Sequence, residues 1–158
     1  MDVVYGVLRL PKWASDIEER FLFSNPYAVV ARRDHPIRAR RRITVSDLAR
    51  YNWIMPPSGT PRRHAFEQIF KGHKFQPKVS IETTSIGIYR AVLSTTDRLS
   101  LFSRRDVDED KTIGFEAIPY HSPRLQRTDG IAIRSDWKPT RIHLEFLERL
   151  AALAADRS

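Results

Sequence analysis

Two hydrophobic rhythms alternate along the chain, one of period two and one near 3.6, and the changes between them predict its elements. Residues 3–8 are apolar and rich in β-branched side chains, which predicts a buried strand. Residues 10–24 are mixed, with Pro11 and Asn25-Pro26 marking breaks, and read as a connection. A second strand is expected over residues 27–32, ended by Asp34-His35-Pro36. Thr44-Val45-Ser46-Asp47 has the form of a capping box and should open a short helix through Arg50.

A repeating order follows. Residues 52–55 predict a strand, and Pro56-Pro57-Ser58-Gly59-Thr60-Pro61 a turn. Thr60 suits a helix N-cap and Pro61 the first helical position; Phe66, Ile69 and Phe70 recur at helical spacing before Gly72. Val79, Ile81 and Thr83 alternate as a strand. Ser85 caps a helix with Ile86, Tyr89, Val92 and Leu93 as its inner stripe, and residues 99–102 predict a third strand. This order argues for right-handed βαβ units and a largely parallel sheet. A charged loop over 104–112, strands over 115–118 and 128–134, and a helix opened by Pro139-Thr140 complete the chain. The stripe expected on that helix is Ile142, Phe146, Leu150 and Leu153. The fold class is α/β.

Composition narrows the function classes. With 158 residues, 41% hydrophobic and 29% charged, the chain reads as an ordinary soluble domain. It has no cysteine, which excludes disulfides and thiolate metal sites and fits a cytoplasmic location. The start has no signal-peptide pattern, and no apolar run approaches the ~20 residues of a membrane helix. The net charge of +8, concentrated in Arg32, Arg33, Arg38, Arg40, Arg41 and Arg42, raises the alternative of a nucleic-acid-binding protein. A basic run is more often a solvated loop, and no aromatic residues interleave this one.

In an open parallel sheet, ligands sit beyond the carboxyl ends of the strands, among helix N-termini. Pro57, Ser58, Gly59 and Thr60 follow one strand, and Thr84 and Ser85 follow the next. Small hydroxyls beside helix N-terminal N–H groups suit a carboxylate, phosphate or sugar, although Thr60 and Ser85 are equally explained as caps. Arg9 closes the first strand, where a guanidinium can pair with an anion or simply face solvent. Catalysis has no matching motif: there is no Gly-x-Ser-x-Gly or phosphate-binding glycine loop. The five histidines lack metal-ligand spacing, and Asp106, Asp108 and Asp110 lack the glycine and glutamate of a calcium loop. No enzyme activity, cofactor or metal is expected.

The ordered set of segments resembles the effector-binding domain of LysR-type transcription regulators. Asp2-Val3-Val4-Tyr5-Gly6, Asp34-His35-Pro36, Val45-Ser46-Asp47-Leu48 and Trp53-Ile54 appear in the family's order. Pro57-Ser58-Gly59-Thr60-Pro61, Glu82-Thr83-Thr84-Ser85, Asp97-Arg98-Leu99, Gly114-Phe115 and Gly130-Ile131-Ala132-Ile133-Arg134 follow. The resemblance implies a two-lobed, periplasmic-binding-protein-like fold. Residues 1–36 and 128–158 would form part of the first lobe, and 37–127 the complete second. It implies an effector site at Arg9, Pro57, Ser58, Gly59, Thr60, Thr84 and Ser85 for an anion or sugar-like molecule. The winged helix-turn-helix and the first βα segments of the first lobe have no counterpart here. DNA contact is therefore expected only through a separate N-terminal domain, and homo-oligomerisation is expected to cover the apolar surface left by the missing segments. A solute-binding protein of a transport system is disfavoured by the lack of a signal peptide and by the short first lobe.

Overall fold

The computed structural model describes residues 3–8, 16–110 and 112–155, which form two compact units. Unit 1 comprises Met1–Asn25 and Arg127–Ser158, and unit 2 comprises Pro26–Gln126.

Unit 1 is a three-stranded antiparallel sheet under one helix. Strands β1 (Val3–Val7) and β2 (Ile17–Ser24) flank the central β8 (Thr128–Arg134). Gly130 sits where an added Cβ would stand 2.3 Å from the Arg20 carbonyl oxygen, so only glycine lets β2 approach. Helix α5 (Arg141–Ala155) buries Leu147 and Ala154, with Leu150 beside them, against Leu22, Ile131 and Ile133. The expected stripe needs correction. Of the expected stripe Leu150 packs on the sheet, whereas Ile142 is 77% exposed and Phe146 and Leu153 are exposed, because the buried face is centred on the line 147-150-154, about 80° further round the helix.

The reading of residues 10–24 as connection is also corrected, because β2 occupies Ile17–Ser24. Its pairing with β8 is made by the backbone, while Glu18, Glu19 and Arg20 point to solvent and hide the hydrophobic alternation.

Unit 2 holds a mixed sheet. Strand β3 (Tyr27–Ala31) pairs antiparallel with β6 (Ser100–Ser103) and β7 (Glu116–Ala117). Strands β4 (Trp53–Met55) and β5 (Val79–Glu82) pair parallel, and a parallel bridge from Trp53 to Leu99 joins β4 to β6. The resulting order is β5-β4-β6-β3-β7, so only part of the sheet is parallel. The expectation of a largely parallel sheet fails at β3, which enters beside β6 in the opposite direction. The same pairing moves a boundary: residues 26–36, expected in the first lobe, belong with unit 2.

The central strands are buried on both faces. Val29, Trp53, Met55, Leu99 and Leu101 point to one core with Leu48, Phe66, Ile69 and Phe70. Val30, Ile54 and Phe102 point to the other with Tyr89, Leu93 and Phe115. Helices α1 (Val45–Ala49) and α2 (Pro61–Phe70) cover the first face, and α3 (Ile86–Thr95) and α4 (Arg104–Glu109) the second. The capping box at α1 is present in full, with the Thr44 and Asp47 side chains and backbones in reciprocal bonds. In α3, Tyr89 and Leu93 are buried as expected, whereas Ile86 is exposed in the first turn. Residues 104–109, expected as loop, form α4, with Ser103 as N-cap and pairs Arg104–Asp108 and Arg105–Glu109 one turn apart.

His35 joins two segments of unit 2. Its buried ring accepts from the Ile37 N–H at Nδ1 (3.0 Å), and its Nε2 lies 3.1 Å from the Asp97 carbonyl oxygen. Those partners fit a neutral imidazole donating from Nε2, and burial, ahead of the opposing pull of Asp97, holds its pKa below the ordinary histidine value. The unfolded chain therefore takes up a proton near pH ~6.5 that the folded chain takes up only at lower pH. This contribution to stability is complete above the unfolded value and is lost as pH falls through the folded one. Melting temperature should drop between about pH 7 and pH 5, and His35→Asn should flatten that part of the profile. An unchanged profile would show that His35 does not set it.

Candidate functional site at the carboxyl edge of the unit 2 sheet

The ends of β4 and β5 lie side by side, since the Thr83 N–H donates to the Met55 carbonyl at 3.0 Å. After β4, Gly59 takes a φ of 87°, which turns the chain so that Thr60 caps α2. The Thr60 hydroxyl accepts from the Arg63 N–H (3.3 Å) and donates to the Pro57 carbonyl (3.0 Å). After β5, the Ser85 Oγ accepts from the Ile88 N–H at the start of α3 (3.5 Å). Thr60 and Ser85 are thus caps first. Ser58 and Thr84 are exposed, and among the described residues their hydroxyls have no partner; Pro57 is exposed beside them. The structure brings these six positions together along one edge; Arg9 lies outside the described residues.

Arg62 is the residue that sequence reasoning missed. It stands at the second position of α2, and its guanidinium lies 4.3 Å from the centre of the Phe102 ring and 5.6 Å from that of Tyr89. The Tyr89 hydroxyl beneath it donates to the Thr83 carbonyl at 3.1 Å. Burial pushes the Tyr89 phenol above its ordinary pKa, against the opposing effect of Arg62. Among the described residues Arg62 has no carboxylate partner. Its neighbour Arg63 is neutralised twice, by Glu67 at 3.1 Å and Glu82 at 2.6 Å. Among the described residues the edge therefore holds an uncompensated cation, Arg62, on an aromatic bed between two helix N-termini. Beside the end of β6, a depression of about 510 Å³ is lined by Tyr27, Arg104, Tyr120, His121 and Ser122. Among the described residues no cluster of His, Asp and Glu could hold a metal, and no helix is long and apolar enough to cross a membrane.

Residues 2–155 match the family described as the LysR substrate binding domain. The chain belongs to that family. Curated relatives are regulators: HTH-type transcriptional regulator GalR of Pseudomonas putida is 26% identical over 137 residues, covering 85% of this chain and 34% of that protein. HTH-type transcriptional regulator PcaQ of Agrobacterium fabrum is 28% identical over 143 residues, covering 89% of this chain and 46% of that protein. The chain thus spans a third to a half of these relatives. Among solved structures, the CcmR regulatory domain of Synechocystis in complex with 2-PG superposes with a TM-score of 0.80 at 23% identity, over 97% of this chain and 73% of that one. The effector binding domain of QuiR in complex with shikimate gives 0.75 at 16% identity, over 98% and 72%. At such identities the likeness is one of fold: the LysR substrate-binding domain is an α/β, periplasmic-binding-protein-like fold.

Proposed function

We propose that this LysR substrate-binding domain senses a small organic anion, such as a sugar acid, at the carboxyl edge of the unit 2 sheet, as the effector module of a transcription regulator. The observation that supports this most is Arg62, a cation with no carboxylate partner among the described residues, held by Phe102 and Tyr89 between the α2 and α3 N-termini. A guanidinium whose face is packed on aromatic rings keeps its N–H edge for a carboxylate or phosphate. The Ser58 and Thr84 hydroxyls stand where they can bond the rest of the molecule, with Pro57 and Gly59 shaping the turn and Thr60 and Ser85 holding the helix ends. Relatives solved with 2-PG and with shikimate support a small-molecule ligand. DNA reading would belong to a helix-turn-helix part such as the curated relatives carry. The exposed Ile142, Phe146 and Leu153 flank of α5 supports self-association through unit 1.

A thermal-shift panel of hydroxy acids, phosphorylated acids and neutral sugars tests the reading. A ligand present at 100 times its dissociation constant should stabilise the domain by about 2.7 kcal/mol. Arg62→Met should remove most of the shift given by an acid while leaving the unliganded melt within a few degrees. A full shift in Arg62→Met, or a response confined to neutral sugars, would overturn the anionic reading.

A further inference from the structure

The opposite edge of the same sheet is basic. Hydrogen bonds gather three segments there: Trp53 N–H to the Lys78 carbonyl at 2.8 Å, Leu99 N–H to the Asn52 carbonyl at 3.0 Å, and His35 Nε2 at the Asp97 carbonyl. Helix α2 runs back from the carboxyl edge, so its last turn and Lys71 also end at this side. The carboxylates present are already engaged. Asp34 and Asp97 hold Arg32, Glu116 holds Arg33 and Arg38, and Asp47 serves the Thr44 cap and Arg40. Arg41, Arg42, Lys71, Lys74 and Lys78 are exposed, and among the described residues none has a carboxylate partner.

We propose that this amino edge of unit 2 is a sequence-independent docking surface for the phosphate backbone of duplex DNA. Five strands at about 4.8 Å spacing make an edge roughly 20 Å wide, and a duplex presents a charge every ~1.7 Å along its axis. Several phosphates can therefore meet the five cations at once. An acidic protein fits less well, because protein interfaces bury an apolar centre, and Phe75 is the one exposed large hydrophobic of residues 32–51, 71–78 and 97–98. A single strand fits less well too, because it needs a platform of aromatic rings. This surface is separate from the effector edge and works without it.

The test is fluorescence anisotropy of a labelled duplex of arbitrary sequence, titrated with the 158-residue chain over a salt series. Affinity should fall steeply with salt, and Arg41→Glu with Arg42→Glu should weaken binding at least about tenfold at low salt and make the log–log slope shallower by about 2. The exposed pair Lys138→Glu with Arg141→Glu in unit 1 removes the same charge and should change binding less than about twofold if the edge is specific. Melting curves of both variants establish that each is folded. No binding at low salt, or equal weakening by both pairs, would overturn the proposal. So would displacement of the duplex by polyglutamate as effectively as by unlabelled duplex, which would assign the edge to an acidic protein.

Discussion

Trp53→Ala should cost the protein about 3–5 kcal/mol, enough to bring a domain of ordinary stability close to unfolding at room temperature. Trp53 is fully buried in the strand that lies between β5 and β6. Its ring sits 5.0 Å from Phe66 and 5.9 Å from Phe70, which are 5.3 Å from one another. Its indole N–H donates to the Leu48 carbonyl at 3.2 Å, tying the end of α1 to the sheet. Alanine would remove the ring from this aromatic cluster and take the indole donor from that carbonyl, which keeps the Tyr51 N–H at 3.4 Å, so a cavity term dominates and a smaller polar term adds. Trp53→Phe keeps most of the packing and loses the hydrogen bond, and should cost roughly 1–2 kcal/mol. Urea unfolding followed by circular dichroism separates the two. Equal losses in both variants would mean that the hydrogen bond outweighs the packing.

Trp53 also shows which parts of the fold were legible in the sequence. Its neighbourhood is local: the capping box at Thr44, the Thr60–Pro61 start of α2 and the spacing of Phe66, Ile69 and Phe70 sit within a few residues of the features they explain. β8 could be read as well, because its apolar run is bounded on both sides. Strand direction was not legible. Whether β3 joins β6 parallel or antiparallel depends on a partner some seventy residues away, and βαβ spacing alone favoured the parallel answer. β2 was hidden because a strand paired through its backbone needs no hydrophobic alternation on its exposed face. For α4 the signal was present in Ser103 and the charge pairs spaced at four residues, and the acidic character of the segment masked it.

The candidate site divides in the same way. Ser58, Thr60, Thr84 and Ser85 could be placed because a strand end followed by a helix cap is a local pattern. Arg62 could not, since its significance comes from Phe102 and Tyr89, which reach it only through the fold. In the sequence it is one of two adjacent arginines, and nothing local tells it from Arg63. The difference is electrostatic and tertiary: Glu67 and Glu82 neutralise one, and aromatic faces support the other.

In unit 1 the largest loss should come from Asp129→Ala. This carboxylate is fully buried at the start of β8 and receives a fork of two bonds from Arg127, Nε to Oδ1 at 2.9 Å and Nη2 to Oδ2 at 3.0 Å. The Asn25 amide adds a third at 2.7 Å, and the Asn25 N–H donates to the Arg127 carbonyl at 2.9 Å. The network therefore ties the end of β2 to the start of β8, the two points where the chain leaves and re-enters unit 1. Removing one partner of a buried pair typically costs about 3–5 kcal/mol, because the remaining charge stays in a poorly solvated place. Replacing both partners with apolar groups costs much less, since two desolvation penalties vanish along with the attraction. Asp129→Ala should thus be destabilised more than the double variant Arg127→Met/Asp129→Leu. A double-mutant cycle built on Arg127→Met, Asp129→Leu and their combination should show a coupling of a few kcal/mol, on the order of 2–3. Strict additivity would mean that the Arg127–Asp129 fork contributes nothing specific, and that the joint depends on the backbone pairing of β2 with β8 alone.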